Sequence, residues 1–358
     1  MTIYLFVFIL LNLFSSLELL NKRVKNQRAV FITLCLLLLC ISGFRYGLET
    51  DYWHYNDIFN GKIKTSNIEV AYMLLNKVVY VMTHNFNIFC LVVAIISMGF
   101  KGWIFDKMKY PFTVLFCYYL RFYVLFELNA IRQGLAITFI LLAYMAFDKK
   151  DMKKYIIFAF IAILFHSSAI VVFFVPILKK MNLSVYRLVM FYAMAIVFRT
   201  LLFDQAIEFF QGFSGFINGS SNGVINGTQY IINSGDKMQP FGILNYIRII
   251  IPGLALYYLQ KKSDKKWCFN IYFWGSIINI MFLGLDTIGF RLASNFYVIE
   301  CFILSDVITV NPAMFQIKKF KWKQAICLGL VAFCDIWSFV ATLISSSTLV
   351  PYTTFIFR

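Results

Sequence analysis

Apolar runs of membrane-spanning length recur along this sequence, and they constrain its fold more than any other feature. About 17 to 25 apolar residues cross a bilayer as a helix, and within lipid only a helix satisfies the backbone polar groups of such a segment. Hydrophobic residues make up 61% and charged residues 14% of the 358 residues. Soluble proteins are about half apolar and a quarter charged. The sequence therefore predicts an all-α polytopic membrane protein with a single transmembrane domain over residues 1–358.

Lysine and arginine concentrate in short connections between these runs, and their positions predict the topology. By the positive-inside rule these connections lie on the cytoplasmic side. Residues 45–86 then form a first outer segment, 204–242 form a large outer loop, and both chain termini lie outside. About ten crossings follow, over residues 2–20, 29–44, 87–105, 111–128, 129–147, 186–203, 243–260, 267–285, 288–308 and 325–345.

The run 155–178 breaks this alternation, because a single crossing would place the lysine pair after it on the outer side. Two short helices, 155–165 and 169–178, joined at His166 restore the alternation. Each arm rises only about 16 Å, so the tip lies inside the membrane or near its outer half, facing protein or a watery cavity. In the first outer segment, apolar residues at helical spacing over 69–82 predict an amphipathic helix at the outer interface.

Four arginines outside the basic connections map to the outer half of the membrane: Arg45, Arg132, Arg248 and Arg291. A charge within a span is costly and faces a partner or a cavity. Each arginine alone could reach the headgroups or pair with a carboxylate. Four from separate helices favour an anion site, because a guanidinium grips phosphate oxygens with two parallel hydrogen bonds. A diphosphate at the outer leaflet fits this set.

Other chemistry has little support in the sequence. The eight cysteines all lie in apolar runs, form no C-x-x-C pair and are expected to be packing residues. The three histidines have no ligand-like spacing, so we expect neither a metal site nor a cofactor. The net charge of +16 comes largely from the basic connections, so we expect no nucleic-acid partner.

Residues 42–55 place ions and aromatic rings directly after a predicted helix end, with Asp51 and Tyr52 adjacent. Aromatic residues at this level are ordinarily membrane-interface residues. Rings beside carboxylates also suit sugars, whose C–H faces stack on rings while their hydroxyls bond carboxylates. The composition of this segment leaves both interpretations open.

Several short motifs follow in order along the chain: FRYGLETDYWHY from Phe44, NAIRQGLA from Asn129, FHSSA from Phe165, RLASNFY from Arg291, and a terminal VPY. Together they resemble the EpsG-like branch of Wzy-type polysaccharide polymerases over most of the chain, excluding 204–242. The resemblance implies a metal-independent glycosyltransferase of GT-C-like architecture in the bacterial inner membrane. Such an enzyme joins undecaprenyl-diphosphate-linked oligosaccharide repeat units at the periplasmic face, builds O-antigen or a similar polysaccharide, and releases undecaprenyl diphosphate.

This chemistry assigns expected roles to the candidate residues. Arg132 and Arg291 bind the donor diphosphate, and Arg45 assists them or holds the acceptor diphosphate. His166 either accepts the acceptor hydroxyl proton or caps its own hairpin, and Asp51 is the rival base. The remaining expected substrate-binding residues are Arg248, Gln133 and Tyr52.

The expected partners are the lipid-linked donor and acceptor and the surrounding membrane lipid, with a chain-length-regulating protein as a further candidate. A ligase of O-antigen uses the same donor, so these residues discriminate poorly between ligase and polymerase. A lipid-linked-oligosaccharide flippase should show repeated halves and a cavity reachable from both sides. The sequence has no internal repeat. An O-acyltransferase would need histidine chemistry without the arginines.

Overall fold

The computed structural model describes residues 2–22, 25–48, 50–63, 68–203, 205, 242–310, 321–345 and 349–357. The described part is built of helices, and the all-α polytopic expectation is confirmed. The large outer loop expected over 204–242 lies almost wholly outside the described residues.

The helices follow one another with short connections. In the first part of the chain they are α1 (Thr2–Leu19), α2 (Gln27–Gly43), α3 (Thr50–Phe59), α4 (Val70–Thr83), α5 (Phe86–Asp106), α6 (Pro111–Tyr118) with a π-helix (Tyr119–Asn129), and α7 (Ile131–Asp148). The next are α8 (Met152–Phe165), a 3₁₀ helix (Ser167–Phe174) with α9 (Val175–Leu178), and α10 (Val185–Val197) with a π-helix (Phe198–Leu202). The last are α11 (Ile243–Leu259) with a 3₁₀ turn (Gln260–Lys262), α12 (Lys266–Met281), α13 (Asp286–Tyr297), α14 (Glu300–Val310), α15 (Trp322–Ser345) and a 3₁₀ turn (Phe355–Phe357).

Seven segments of the described chain are long and apolar enough to cross a membrane: Thr2–Leu19, Phe86–Asp106, Pro111–Asn129, Ile131–Asp148, Val185–Leu202, Gly289–Thr309 and Trp322–Ile344. The expectation of about ten crossings also counts α2 and α11, with 17 residues each, and α12, with 16. Helices of this length rise about 24 to 26 Å, somewhat less than the hydrocarbon thickness. Large apolar side chains on the outside of the bundle, such as Phe6 at 55% exposure, suit contact with lipid.

The basic connections meet at one end of the bundle, which we call the basic end. There Arg28 at the start of α2 pairs with Asp106 at the end of α5, at 3.3 Å. Lys265 before α12 pairs with Asp148 at the end of α7, at 2.7 Å. These contacts bring separate connections together, as the charge pattern predicts.

The opposite end, which we call the arginine end, contains the residue after α2 and the C-terminal segment. The Tyr46 amide donates to the Thr353 carbonyl at 3.0 Å, and the Phe355 amide donates to the Phe44 carbonyl at 3.2 Å. Residues 353–355 therefore lie at the same end as Arg45, which agrees with the alternation expected from the sequence.

The helical hairpin expected from the charge pattern is confirmed. His166 lies between α8 and the 3₁₀ helix, and the Tyr155 hydroxyl bridges the two arms by donating to the Val172 carbonyl at 2.6 Å. The chain then returns to the basic end, where Lys179 Nζ lies 5.0 Å from the centre of the Phe147 ring. Asn270 of α12 also donates to the Leu178 carbonyl there, at 3.1 Å.

The amphipathic helix expected over 69–82 is observed as α4. It buries Tyr72, Asn76 and Val79 against the bundle. Its other face exposes apolar side chains such as Val70 and Leu74. A helix with this second apolar face suits the membrane interface.

The π-helix after α6 differs from the regular span expected over 111–128. Its backbone is drawn close to α7, since a Cβ atom added to Gly134 would lie 2.2 Å from the Phe126 carbonyl oxygen. Glycine is required for this approach. Lys101 of α5 donates to the Gly134 carbonyl at 2.9 Å and to Glu127 Oε1 at 2.6 Å. A buried ion pair therefore joins α5, α7 and the π-helix.

Candidate functional site

A cavity of about 510 Å³ lies among the π-helix after α6 and helices α7, α11, α12, α13 and α15. Because α11 and α13 begin at the arginine end, their first-turn residues lie at that end of the cavity. Charged and amide side chains make up much of its lining, which is unusual within a span. Those used below are Arg121, Gln133, Arg248, Asn279, Arg291 and Asp335.

Two of the lining arginines have no carboxylate partner in the described part of the chain. Arg248 is about one turn into α11, and Arg291 is about one turn into α13. Within those residues, the ion pairs at up to 4.0 Å include neither guanidinium. Two cations that line one cavity, neither of them ion-paired within the described residues, form a site suited to an anion.

Gln133 links two helices of the cavity wall beside Arg291. Its Nε2 donates to the Arg291 carbonyl at 2.6 Å, which links α7 to α13. Asn295 Nδ2, one turn later on α13, also donates to the Arg291 carbonyl at 3.1 Å and to the Ser168 carbonyl at 3.0 Å. These bonds fix the backbone that carries Arg291 and attach it to the hairpin tip.

The end of the cavity within the bundle is formed by a buried charge cluster. Arg121 forms an ion pair with Glu300 of α14 through a short contact, and its Nη1 lies 3.4 Å from Asp335 Oδ1 of α15. The same guanidinium donates to the Tyr272 hydroxyl at 3.2 Å and lies 4.4 Å from the centre of the Tyr297 ring. We call Arg121, Glu300 and Asp335 the carboxylate cluster.

Arg132 lies in a second polar group outside the cavity lining. Its Nη1 pairs with Glu69 Oε2 at 2.7 Å, and the guanidinium lies 5.9 and 6.0 Å from the ring centres of Tyr55 and Tyr72. Glu69 Oε1 also accepts from the Ser167 amide at 3.1 Å. Arg132 therefore has a carboxylate partner and links α4, α7 and the hairpin tip.

His166 lies between the cavity residue Arg291 and the Arg132–Glu69 pair. The charges of all three residues act on its ring. Its Nδ1 accepts the Ser168 amide at 3.3 Å and lies 2.8 Å from the Ser168 hydroxyl oxygen. A ring nitrogen that accepts an amide proton carries no proton itself, so the neutral imidazole is protonated on Nε2. In this state Nδ1 caps the 3₁₀ helix and Nε2 is a donor.

The structure separates Arg45 from the cavity. Its side chain is 1% exposed, and its Nη1 donates to the Ser42 carbonyl at 2.6 Å and the Glu127 carbonyl at 3.0 Å. These bonds tie the end of α2 to the π-helix. The gathering of four arginines expected from the sequence is thus corrected to two arginines that line the cavity and two that bond to protein groups outside it.

Tyr52 and Asp51 also lie outside the cavity lining. Tyr52 is buried among aromatic rings, and its hydroxyl donates to Asn87 Oδ1 at 3.0 Å. Asp51 is one helical turn before Tyr55, on whose hydroxyl its charge acts. Neither residue contacts the cavity that Arg248 and Arg291 line.

Two functional candidates were missed by the sequence reasoning. Glu300 and Asp335 are carboxylates inside apolar runs, and a charge within a span is a signal of function by itself. This signal marks both acids as candidates, as it does the arginines.

The comparisons with known proteins give one match. No curated protein and no solved structure matches the chain. The family model described as "EpsG family" matches residues 28–354, nearly the whole sequence, and EpsG-like proteins are membrane proteins of the polysaccharide-polymerase type. This match shows that the chain belongs to the EpsG family, with which the helical membrane fold agrees.

Proposed function

We propose that this protein polymerises undecaprenyl-diphosphate-linked oligosaccharide repeat units at the periplasmic face of the bacterial inner membrane. The observation that carries the proposal is the pair Arg248 and Arg291, which line one cavity and have no carboxylate partner in the described chain. A lipid-linked diphosphate supplies the missing negative charge. The family membership and the helical membrane fold support a polymerase acting on a lipid-linked substrate.

The proposed reaction is transfer of a glycosyl group between two lipid-linked substrates. A hydroxyl of the acceptor oligosaccharide attacks the anomeric carbon of the donor, and the bond from that carbon to the diphosphate oxygen breaks. Negative charge then grows on the leaving diphosphate. Arg248 and Arg291 bind that diphosphate and stabilise it most strongly as it leaves. Arg132, opposite Glu69, holds the hairpin tip beside this site.

The two guanidinium groups supply the positive charge that a divalent cation supplies in many diphosphate-using enzymes. We therefore propose a metal-independent reaction. Polymerisation by the purified protein should proceed at the same rate with and without EDTA, and loss of activity on chelation that added Mg²⁺ restores would contradict this.

The orientation is part of the proposal, since the arginine end must face the periplasm to receive the substrate there. The basic connections at the other end support this orientation through the positive-inside rule. The same end would face the donor whether the enzyme were a polymerase or an O-antigen ligase.

Deletion of the gene, followed by analysis of the surface polysaccharide, separates these functions. A polymerase leaves a single-repeat product where the wild type makes a ladder. Loss of all attached polysaccharide indicates a ligase or flippase, and an unchanged ladder contradicts the proposal. Complementation with the wild-type gene and with Arg28→Lys, a variant at the basic end, should restore the ladder equally.

A further inference from the structure

We infer that Asp335 is the base that accepts the proton of the attacking hydroxyl, with Arg121 and Glu300 as positioning residues. The inference rests on the proposed function. Asp335 lines the same cavity as Arg248 and Arg291, whereas His166 and Asp51 do not. Of these three candidate bases, Asp335 alone lines the cavity that Arg248 and Arg291 line.

The charge balance of the carboxylate cluster supports proton acceptance. Glu300 is fully buried, and its Oε2 makes the short contact with Arg121. Asp335 is 3.4 Å from the same guanidinium. One guanidinium neutralises one of two carboxylates, so the cluster carries an excess negative charge when both acids are ionised. Burial makes such a charge costly, and uptake of one proton removes it.

The carboxylate cluster also lies near Arg248, one of the two arginines that would bind the donor. Arg248, Arg121, Glu300 and Asp335 all act electrostatically on the Cys334 thiol, which places Arg248 near the cluster.

The step is balanced without any further reactant. The acceptor O–H bond breaks and its proton passes to a carboxylate oxygen of Asp335. The acceptor oxygen forms a bond to the anomeric carbon, and the bond from that carbon to the diphosphate oxygen breaks. The electron pair of the broken bond remains on undecaprenyl diphosphate, whose charge Arg248 and Arg291 hold.

The test measures turnover and binding separately on the full-length protein in lipid nanodiscs. Polymerisation of undecaprenyl-diphosphate-linked repeat units gives kcat and KM, and native mass spectrometry measures binding of undecaprenyl diphosphate. Asp335→Asn should lower kcat by about 10²- to 10⁴-fold, the range for loss of a general base, and leave KM and diphosphate binding unchanged. Asp335→Glu should recover part of kcat. Asp106→Asn, an acid at the basic end, is the matched control and should behave as wild type.

Wild-type kcat in Asp335→Asn overturns the inference and leaves the proposed function intact. Loss of undecaprenyl diphosphate binding in folded Asp335→Asn also overturns it, because the residue would then be a binding residue. A wild-type protein that neither polymerises nor binds the probe contradicts the proposed function and removes the basis of the inference. If Asp335→Asn does not fold, the test uses Asp335→Glu, which keeps the charge. Displacement of a base by about 1 Å is expected to lower kcat about 10²-fold. Wild-type kcat in Asp335→Glu therefore overturns the inference.

Discussion

At the scale of single residues, the four arginines expected at the outer half of the membrane differ in their protein partners. Arg45 bonds carbonyl groups and Arg132 pairs with Glu69, so their charge is used within the fold. Arg248 and Arg291 line the cavity and lack such a carboxylate in the described chain. Arg248 is exposed and Arg291 is half-buried, so both guanidinium groups are open to an anion that enters the cavity.

Arg291→Lys tests whether the guanidinium fork matters beyond its charge. The lysine ammonium keeps the charge but cannot form two parallel hydrogen bonds to one phosphate group. We expect kcat to fall by about 10²- to 10³-fold, the cost of losing one donor to a leaving oxyanion. Steady-state polymerisation kinetics measure this. Arg28→Lys at the basic end is the matched control, and equal kinetics in the two variants would speak against phosphate binding by Arg291.

His166 offers a test between its two expected roles. Because Nδ1 caps the 3₁₀ helix, His166→Ala should lower the free energy of unfolding by about 1 kcal/mol, and His166→Asn, with a side-chain oxygen suited to the same cap, should restore it. Polymerisation should follow stability, with His166→Asn near wild type. Thermal unfolding and turnover measured on the same preparations decide. Activity lost equally in both variants would identify His166 as a base.

At the scale of helices, one buried ion pair organises the segment that lines the cavity. Lys101 of α5 and Glu127 of the π-helix are 2.6 Å apart, and their side chains are 0% and 2% exposed. The Tyr118 hydroxyl donates to the same carboxylate oxygen at 2.6 Å. This network fixes the π-helix, and residues of that helix, including Asn129 just after Glu127, line the cavity.

Replacing one partner of that ion pair should destabilise the fold more than replacing both partners with apolar residues. Glu127→Gln leaves the Lys101 ammonium buried without a counter-charge, and we expect a loss of about 3 to 5 kcal/mol in the free energy of unfolding. The double variant Lys101→Met with Glu127→Leu should recover part of this loss. Unfolding in detergent measures both. The exposed pair of Lys62 and Asp57 is the control, and Asp57→Asn should have a much smaller effect. A loss after Glu127→Gln no larger than that of Asp57→Asn would contradict the structural role.

The hairpin shows which features of an element can be predicted from sequence. Two lysines placed after an apolar run are sufficient to predict the reversal at His166, because the charge at a helix end comes from residues adjacent in the sequence. The π-helix could not be predicted. Its hydrogen-bond pattern depends on packing against Gly134 and on the partner of Lys101, which belong to other helices.

The same reasoning explains which site residues were predicted. Arg248, Arg291 and Gln133 lie near helix ends in spans, and the cost of charge in lipid was enough to select the two arginines. The Glu127 carbonyl that Arg45 bonds is 82 residues away in sequence, and the Glu69 carboxylate that Arg132 pairs with is 63 residues away, so these contacts could not be read from the chain. The carboxylate cluster unites residues 179 and 214 positions apart, a proximity that only the tertiary structure reveals.

Topology belongs to the scale of the whole molecule and is open to direct test. In a variant from which the eight native cysteines have been removed, single cysteines at Lys180 and at Thr354 should react with a membrane-impermeant maleimide from opposite sides of the membrane. We expect labelling from the periplasm at Thr354, beside Arg45, and none at Lys180 in intact cells. Labelling of Lys180 from the periplasm would contradict both the hairpin topology and the proposed orientation.

The protein combines the helical membrane fold of an EpsG family member with a cavity that Arg248 and Arg291 line. We propose that this cavity is the site at which lipid-linked repeat units are joined without a nucleotide sugar. The most direct measurement is polymerisation by the purified protein in nanodiscs, supplied only with undecaprenyl-diphosphate-linked repeat units. The account predicts products in whole multiples of the repeat unit, with one undecaprenyl diphosphate released for each bond formed. Repeat units that remain single, with no undecaprenyl diphosphate released by a folded protein, would contradict it.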